Sequence, residues 1–500
     1  MSAEERLGFA AARRLPYNGG MNRAEVRAAA DRALARRRAA VLPVPAPSSL
    51  GPVDRPAGPS GLRVLATLLS RRRAANELYE QITRAHHPVA HTRMAGEHVY
   101  LVSDPELVIE VFLNHGRDLM KGRGLQATRP LLGNGLLTSE GELHRRQRRL
   151  AQPAFHRDRI VGYAAQMVTA AELHSQRWHD EQDVDMVEEM TSLTFAIVGR
   201  TLFGTDLSGD TRLFRDTLEE LMAGFSRLSV LGNERLIRAL PMGRNLLART
   251  GDLDVVVGRI IAEHREQAAA GRDAGDLLSW FVRAEDDGQR MTDEQLRDEV
   301  MTMVLAGHET TAMALSWAWW LLATHRTAAD RLRSELDAEL GGRAPTFTDL
   351  DRLPYARAVV AEAIRLYPPA WVIGRRSLVD LRVGGWQVPS GSILLAVPYS
   401  QHRDPAVWAR ATEFRPQRWL TAAGGFDEAA PGVPRGSWIP FGFGNRRCIG
   451  EQFAWTEAVL VLATLAARWQ VRSRRDGPVS MLAGVTLRPR HGLPMTLARR

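Results

Sequence analysis

From about residue 61 to about residue 365 the chain carries the helical period. Long stretches of Leu, Ala, Arg and Glu are punctuated by Gly and Pro. Residues 98–102 are the one short strand expected within this region. Residues 292–324 form the longest periodic run, with Thr292 and Gln295 spaced as a capping box at its start. After Pro368 the pattern changes. Residues 381–395 (LRVGGWQVPSGSILL) alternate and turn on Gly-Gly and Pro-Ser-Gly, which predicts small β-structure. Residues 451–469 return to a helix, and residues 485–497 read as a hairpin. The expectation is a mainly α fold with small β-sheets, without the strand–helix alternation of a parallel α/β protein.

The first 45 residues are rich in Arg and Ala, and are expected to be a poorly ordered extension rather than part of the core. Residues 21–40 have the makings of a basic helix, but its apolar face is mostly Ala. Residues 42–61 are rich in Pro, Gly and Ser and lead as an extended segment into a single domain spanning 46–500. The net charge of +9 admits nucleic acid, anionic lipid or an acidic protein as partner. No zinc-finger spacing or aromatic–basic RNA motif supports nucleic acid, so none is expected. The first twenty residues lack the apolar core of a signal peptide. The longest uncharged apolar run, 312–324, falls short of the ~18 residues of a membrane span. A soluble, cytoplasmic monomer without a transmembrane anchor is the expectation.

With 1 Cys in 500 residues, an intramolecular disulfide, an all-cysteine zinc site, an iron–sulfur cluster and covalent haem attachment are excluded. Cys448 lies in Phe441-Gly-Phe-Gly-Asn-Arg-Arg-Cys-Ile-Gly450, directly before a helix. Free N–H groups at a helix start, together with Arg446 and Arg447, favour a thiolate. A buried structural cysteine and a catalytic nucleophile are the competing readings of those features alone. In the long helix, Leu305-Ala-Gly-His-Glu-Thr-Thr311 places Ala306, Gly307 and Thr310 on one face. Small residues beside a hydroxyl leave room for a diatomic ligand, and Glu309 adds an acid that can relay protons. A Thr hydroxyl bonded back to the helix is the competing reading.

The spacing F-x-x-G-x-R-x-C-x-G, carried by Phe441, Gly444, Arg446, Cys448 and Gly450, resembles the haem-binding signature of the cytochrome P-450 family. Four further elements follow the family order. Ala306, Gly307, Glu309, Thr310 and Thr311 resemble its oxygen-activating motif. Glu362-Ala-Ile-Arg365 resembles its E-x-x-R element, and Phe414-Arg-Pro-Gln-Arg-Trp419 supplies Arg418 as the third member of a buried charge network. His144-Arg-Arg-Gln-Arg148, followed by Gln152-Pro-Ala-Phe155, resembles its propionate-binding helix. The resemblance covers roughly residues 60–500.

It implies a triangular fold with haem b between the long central helix and the cysteine-bearing helix. Cys448 would be the iron ligand, Thr310 and Glu309 the catalytic alcohol and acid. His144, Arg148, Arg446 and either Arg375 or Arg376 would meet the propionates, with Ala306, Gly307 and Phe441 also at the haem. The implied reaction inserts one atom of O2 into a hydrophobic small molecule, a terpenoid or fatty acid, held near Leu305, Ala306, Val372 and Ile373. Arg446 in the cysteine loop is closer to members hydroxylating such substrates. With no flavin domain in the sequence, electrons are expected from a separate ferredoxin and ferredoxin reductase. The basic surface at Arg446 and Arg447 is the expected docking face. A peroxide-driven peroxygenase and a non-catalytic haem sensor are the alternatives.

Overall fold

The computed structural model describes residues 42–51, 53–70, 74–94, 96–204, 217, 218, 220, 221, 224, 241–429 and 433–500. The basic stretch 21–40 therefore lies outside the described residues. The leading segment is extended, as its Pro and Gly content predicts. It is pinned where Ser49 donates from both its backbone N–H and its hydroxyl to Asp380 Oδ2, at 2.9 and 2.8 Å.

The main helices, in chain order, are α1 (Gly61–Leu69), α2 (Ala75–Ala85), α3 (Gly141–Ala151), α4 (Arg157–Ser175), α5 (Met186–Phe203), α6 (Pro241–Ala269), α7 (Leu277–Arg283), α8 (Asp293–Thr324), α9 (Arg326–Leu340), α10 (Pro354–Leu366) and α11 (Glu451–Ala466). The long run begins as expected. Thr292 Oγ1 accepts from Gln295 N–H at 3.2 Å, and the Gln295 side chain accepts from Thr292 N–H at 3.0 Å. Helix α8 is buried on nearly every side, so its apolar positions do not confine themselves to one stripe. Gly307 lets α5 approach closely, since a Cβ there would stand 3.2 Å from Val198 Cγ2. Beyond it, Trp317 stacks on Tyr367 with ring centroids 3.9 Å apart.

The principal strands are β1 (Val89–Met94), β2 (Glu97–Val102), β3 (Leu119–Lys121), β4 (Asp183–Asp185), β5 (Ile373–Ser377), β6 (Ile393–Ala396), β7 (Trp469–Ser473), β8 (Met481–Ala483), β9 (Leu487–Pro489) and β10 (Pro494–Arg499). Five of them form a sheet in the order β1-β2-β6-β5-β3. Here β6 runs parallel to β2, and β5 lies antiparallel between β6 and β3. The residues 381–395 turn as predicted, pairing Leu381–Val383 with Trp386–Val388 before entering β6. The C-terminal expectation needs correction. Residues 485–497 are not one hairpin: β9 pairs back with β8, whereas β10 joins β7 and β4.

Behind α8, the Glu362 and Arg365 pair of α10 is wholly buried. Glu362 accepts from Arg365 Nε and Nη2, both at 2.8 Å, from Arg418 Nε at 2.9 Å and from the Trp419 indole at 2.9 Å. The Arg415 backbone N–H supplies a fifth bond at 2.9 Å. Arg365 spends its remaining donors on the carbonyls of His402, Ala411 and Glu413. Every charge in this network is matched by hydrogen bonds, which is the condition for keeping charge in a core.

Candidate active site

The cysteine loop is shaped by its own backbone. Cys448 N–H donates to Phe441 O at 2.9 Å, closing the loop. Gly442 and Gly444 adopt φ of +70° and +60°, which L side chains rarely adopt. Gly450 is the N-cap of α11, so the sulfur does sit at a helix start. The side chain of Phe441 packs against Trp455, with centroids 5.9 Å apart.

The thiol does not behave as its surroundings alone suggest. Burial raises its pKa to about 11, outweighing the Gly450 N–H and the charges of Arg148 and Arg447. Yet Cys448 remains solvent-accessible. The sulfur is thus crowded by protein and still accessible. Ala306 is likewise exposed within a helix that is otherwise buried around it, and Thr310 is partly exposed one turn on. Gly307 instead serves the contact with α5, so the gap in the helix surface belongs to Ala306.

The acid and the alcohol are not joined to each other. Thr310 donates to Ala306 O at 2.7 Å, the local helix bond. Glu309 accepts from Thr486 Oγ1 at 2.6 Å and lies 3.2 Å from Arg488 Nε, both contributed by the β8–β9 hairpin region. His308 turns to Val304 O and the Phe195 ring, away from Ala306.

Near Cys448 lies a concentration of positive charge. Lys121 of β3 and Arg375 of β5 are register partners across the sheet. Like charges placed directly opposite repel, so such a pair needs an anion. Around them stand His144 and Arg148 of α3 and Arg446 of the cysteine loop. Burial, then Arg446 and Arg375, pushes Lys121 well below its ordinary range. Burial and the same cations push His144 down to about 2, and burial brings Arg375 down to about 10. Glu140 is the carboxylate in their midst. It accepts from Lys121 N–H at 2.7 Å and is paired with Arg446, whose Nη1 also donates to Ser139 O at 2.9 Å. Arg148 donates to Arg447 O at 2.8 Å, tying α3 to the cysteine loop.

Arg376 is engaged by Glu97 at 2.6 Å, and Arg375 faces the cluster. The expected docking pair is corrected, because Arg446 is committed to Glu140 inside the protein. Only Arg447 is exposed, and it pairs with Glu451. Lys121, Glu140, Thr486 and Arg488 were not anticipated. Each lies far along the chain from the residues it serves, and no periodic pattern marks it.

The family model for cytochrome P-450 matches residues 56–493, and the chain belongs to that family. It is 40% identical over 420 residues to cyclooctatin synthase of Streptomyces melanosporofaciens, covering 82% of this chain and 87% of that protein. It is 36% identical over 402 residues to cyclooctat-9-en-7-ol 5-monooxygenase of the same organism, covering 78% and 83%. Pentalenene oxygenase of Streptomyces avermitilis is 33% identical over 407 residues, with 81% and 88% covered. Among solved structures, the cytochrome P450DA heme domain superposes with a TM-score of 0.78 at 26% identity, covering 91% of this chain and 98% of that one. The protein is thus a cytochrome P-450 monooxygenase with a haem-iron cofactor. Among the described residues no helix is long and apolar enough to cross a membrane.

Proposed function

We propose that the chain hydroxylates a terpenoid, using haem b held by Cys448, molecular oxygen, and electrons from a separate ferredoxin and its reductase, in the cytoplasm. The carrying observation is that Cys448, Ala306 and Thr310 stay accessible on elements otherwise packed into the core, with a buried cation cluster reaching the cysteine loop. A thiolate-ligated haem supplies O2 binding and cleavage of the O–O bond when bound.

The residues present fit that group. A cluster of Lys121, Arg148, Arg375 and Arg446 around Glu140 retains positive charge, which suits the two propionates. The neutral His144 adds a hydrogen-bonding group there rather than a charge. Cys448, whose thiol burial keeps protonated, would hold the iron as a thiolate, its proton lost to solvent as in other coordinating thiols. Thr310 holds its hydroxyl at the bare surface of Ala306, where it can pass a proton inward. Glu309, the next residue along the helix, is held by Thr486 and Arg488 and would turn from them to pass a proton to that hydroxyl.

The terpenoid reading is supported by the names of the similar bacterial enzymes and by the apolar Leu305, Val372 and Ile373. The test is reconstitution with a surrogate ferredoxin and reductase. Substrate-dependent NAD(P)H consumption matched by a product one oxygen atom heavier is expected with cyclic diterpene or sesquiterpene hydrocarbons. Strong turnover with peroxide alone, and none with reductant, would overturn it in favour of a peroxygenase.

A further inference from the structure

One face of α8 carries Glu299, Thr302, Ala306 and Thr310. Their spacing gathers them within about 80° of the helix circumference. Glu299 is completely buried. Its Oε2 accepts from Leu136 N–H at 3.1 Å, but its Oε1 has no hydrogen-bond partner among the described residues. Thr302, one turn further on, is buried with its hydroxyl also unpartnered. Adjacent residues of one backbone stretch cover the two groups. Leu136 touches Glu299, and a Cβ on Gly135 would lie 2.2 Å from Thr302 Oγ1. Two unpartnered polar atoms one helical turn apart, covered by one stretch of backbone on the face that carries Ala306 and Thr310, are groups of the kind that ordered water satisfies.

The charges around Glu299 are few. Asp298 is its chain neighbour, and Lys121 faces it from β3. Arg297 is turned towards Asp254 of α6, at 2.6 Å, and Asp298. Burial is the largest influence and Asp298 adds to it, so the Glu299 carboxyl is pushed up to about 8 despite the Leu136 N–H and Lys121. It carries its proton at neutral pH, where an ordinary carboxyl has lost it.

We propose that Glu299 and Thr302 form a second proton line into the site, running along α8 to Ala306 and Thr310 and independent of Glu309. The proposal rests on the monooxygenase reading. In that reaction two protons and two electrons accompany each O2, one oxygen atom entering product and the other leaving as water. Glu299 releases its carboxyl proton through water and the Thr302 hydroxyl, remains as a carboxylate beside Lys121, and regains a proton from the medium. Some 16 Å of helix separates Glu299 from Thr310, so it acts through the groups between them rather than on the reacting atoms.

The test uses the holoenzyme as wild type, Glu299→Gln, Thr302→Val and Thr302→Ser. An infrared titration of the resting protein, which needs no turnover, should show a protonated carboxyl band. The band should vanish as pH rises through about 8 and be missing in Glu299→Gln. In turnover, Glu299→Gln and Thr302→Val should each lower product formed per electron about tenfold, and Thr302→Ser should restore it. Wild-type product yield should fall above pH about 8, and the Glu299→Gln profile should be flat there. A band that does not titrate, or two variants with wild-type yield and pH profile in an otherwise active enzyme, overturns the proton line alone. A wild type that consumes no O2 with reductant overturns the monooxygenase reading, and the line with it.

Discussion

Cys448 shows two local influences in opposition. The helix start and neighbouring arginines favour its thiolate, and burial opposes them and wins, leaving the thiol pKa near 11. The balance changes once a metal cation arrives. Replacing Cys448 with Ser should therefore abolish the red-shifted ferrous–carbonyl Soret band of thiolate ligation, measured on the reduced protein under CO. Among the described residues Thr310 bonds only to its own helix, so its loss should not disturb the ligand sphere. Thr310→Ala should keep that band while product yield falls about tenfold or more and the missing electrons appear as hydrogen peroxide.

Two pairs of elements are joined by buried charge, and each makes a prediction. Glu362 gathers α10 and the segment around Arg418 with five hydrogen bonds. Glu362→Leu leaves Arg365 buried without its counter-charge and should cost about 3–5 kcal/mol in denaturant unfolding. The second pair joins α6 to the N-cap of α7. His264 Nε2 lies 3.0 Å from Asp276 Oδ2, and its Nδ1 lies 2.8 Å from Ile260 O. Burial lowers the His264 pKa, but the Asp276 bond and charge with the Ile260 carbonyl outweigh it, and the net shift is upward. A raised histidine stabilises the fold fully below its unfolded value and less as pH rises through its folded value. The melting temperature of His264→Gln should thus fall furthest below wild type under pH about 6.5, with the gap narrowing at higher pH.

Across the whole molecule, what could be read from the sequence was what lies close together along it. The cysteine loop, the centre of α8 and the Glu362–Arg365 pair each occupy a few consecutive residues whose types and spacing are constrained together. The partners that complete them were hidden. Glu140 meets Arg446 across 306 positions, and Thr486 meets Glu309 across 177, so nothing in the local pattern links them. The C-terminal hairpin was misread for the same reason. Residues 485–497 alternate convincingly, but β10 finds its partners in β7 and β4. The overall basic charge did not locate a docking face, because Arg446 points inward. Arg447→Glu should slow reduction by an acidic ferredoxin about tenfold at low salt, measured by stopped flow, with the haem spectrum unchanged and the effect fading as salt is added.

The cation cluster draws on β3, α3, β5 and the loop before α11, which span residues 121 to 446. During synthesis the chain must therefore be almost complete before its sulfur ligand exists and before Lys121 and Arg375 can be brought side by side. Until then these mutually repelling cations have every reason to stay apart. With Cys448 as ligand and this cluster as the propionate site, cofactor capture would be one of the last events of folding, and the cofactor's own negative charge would help draw the distant strands together.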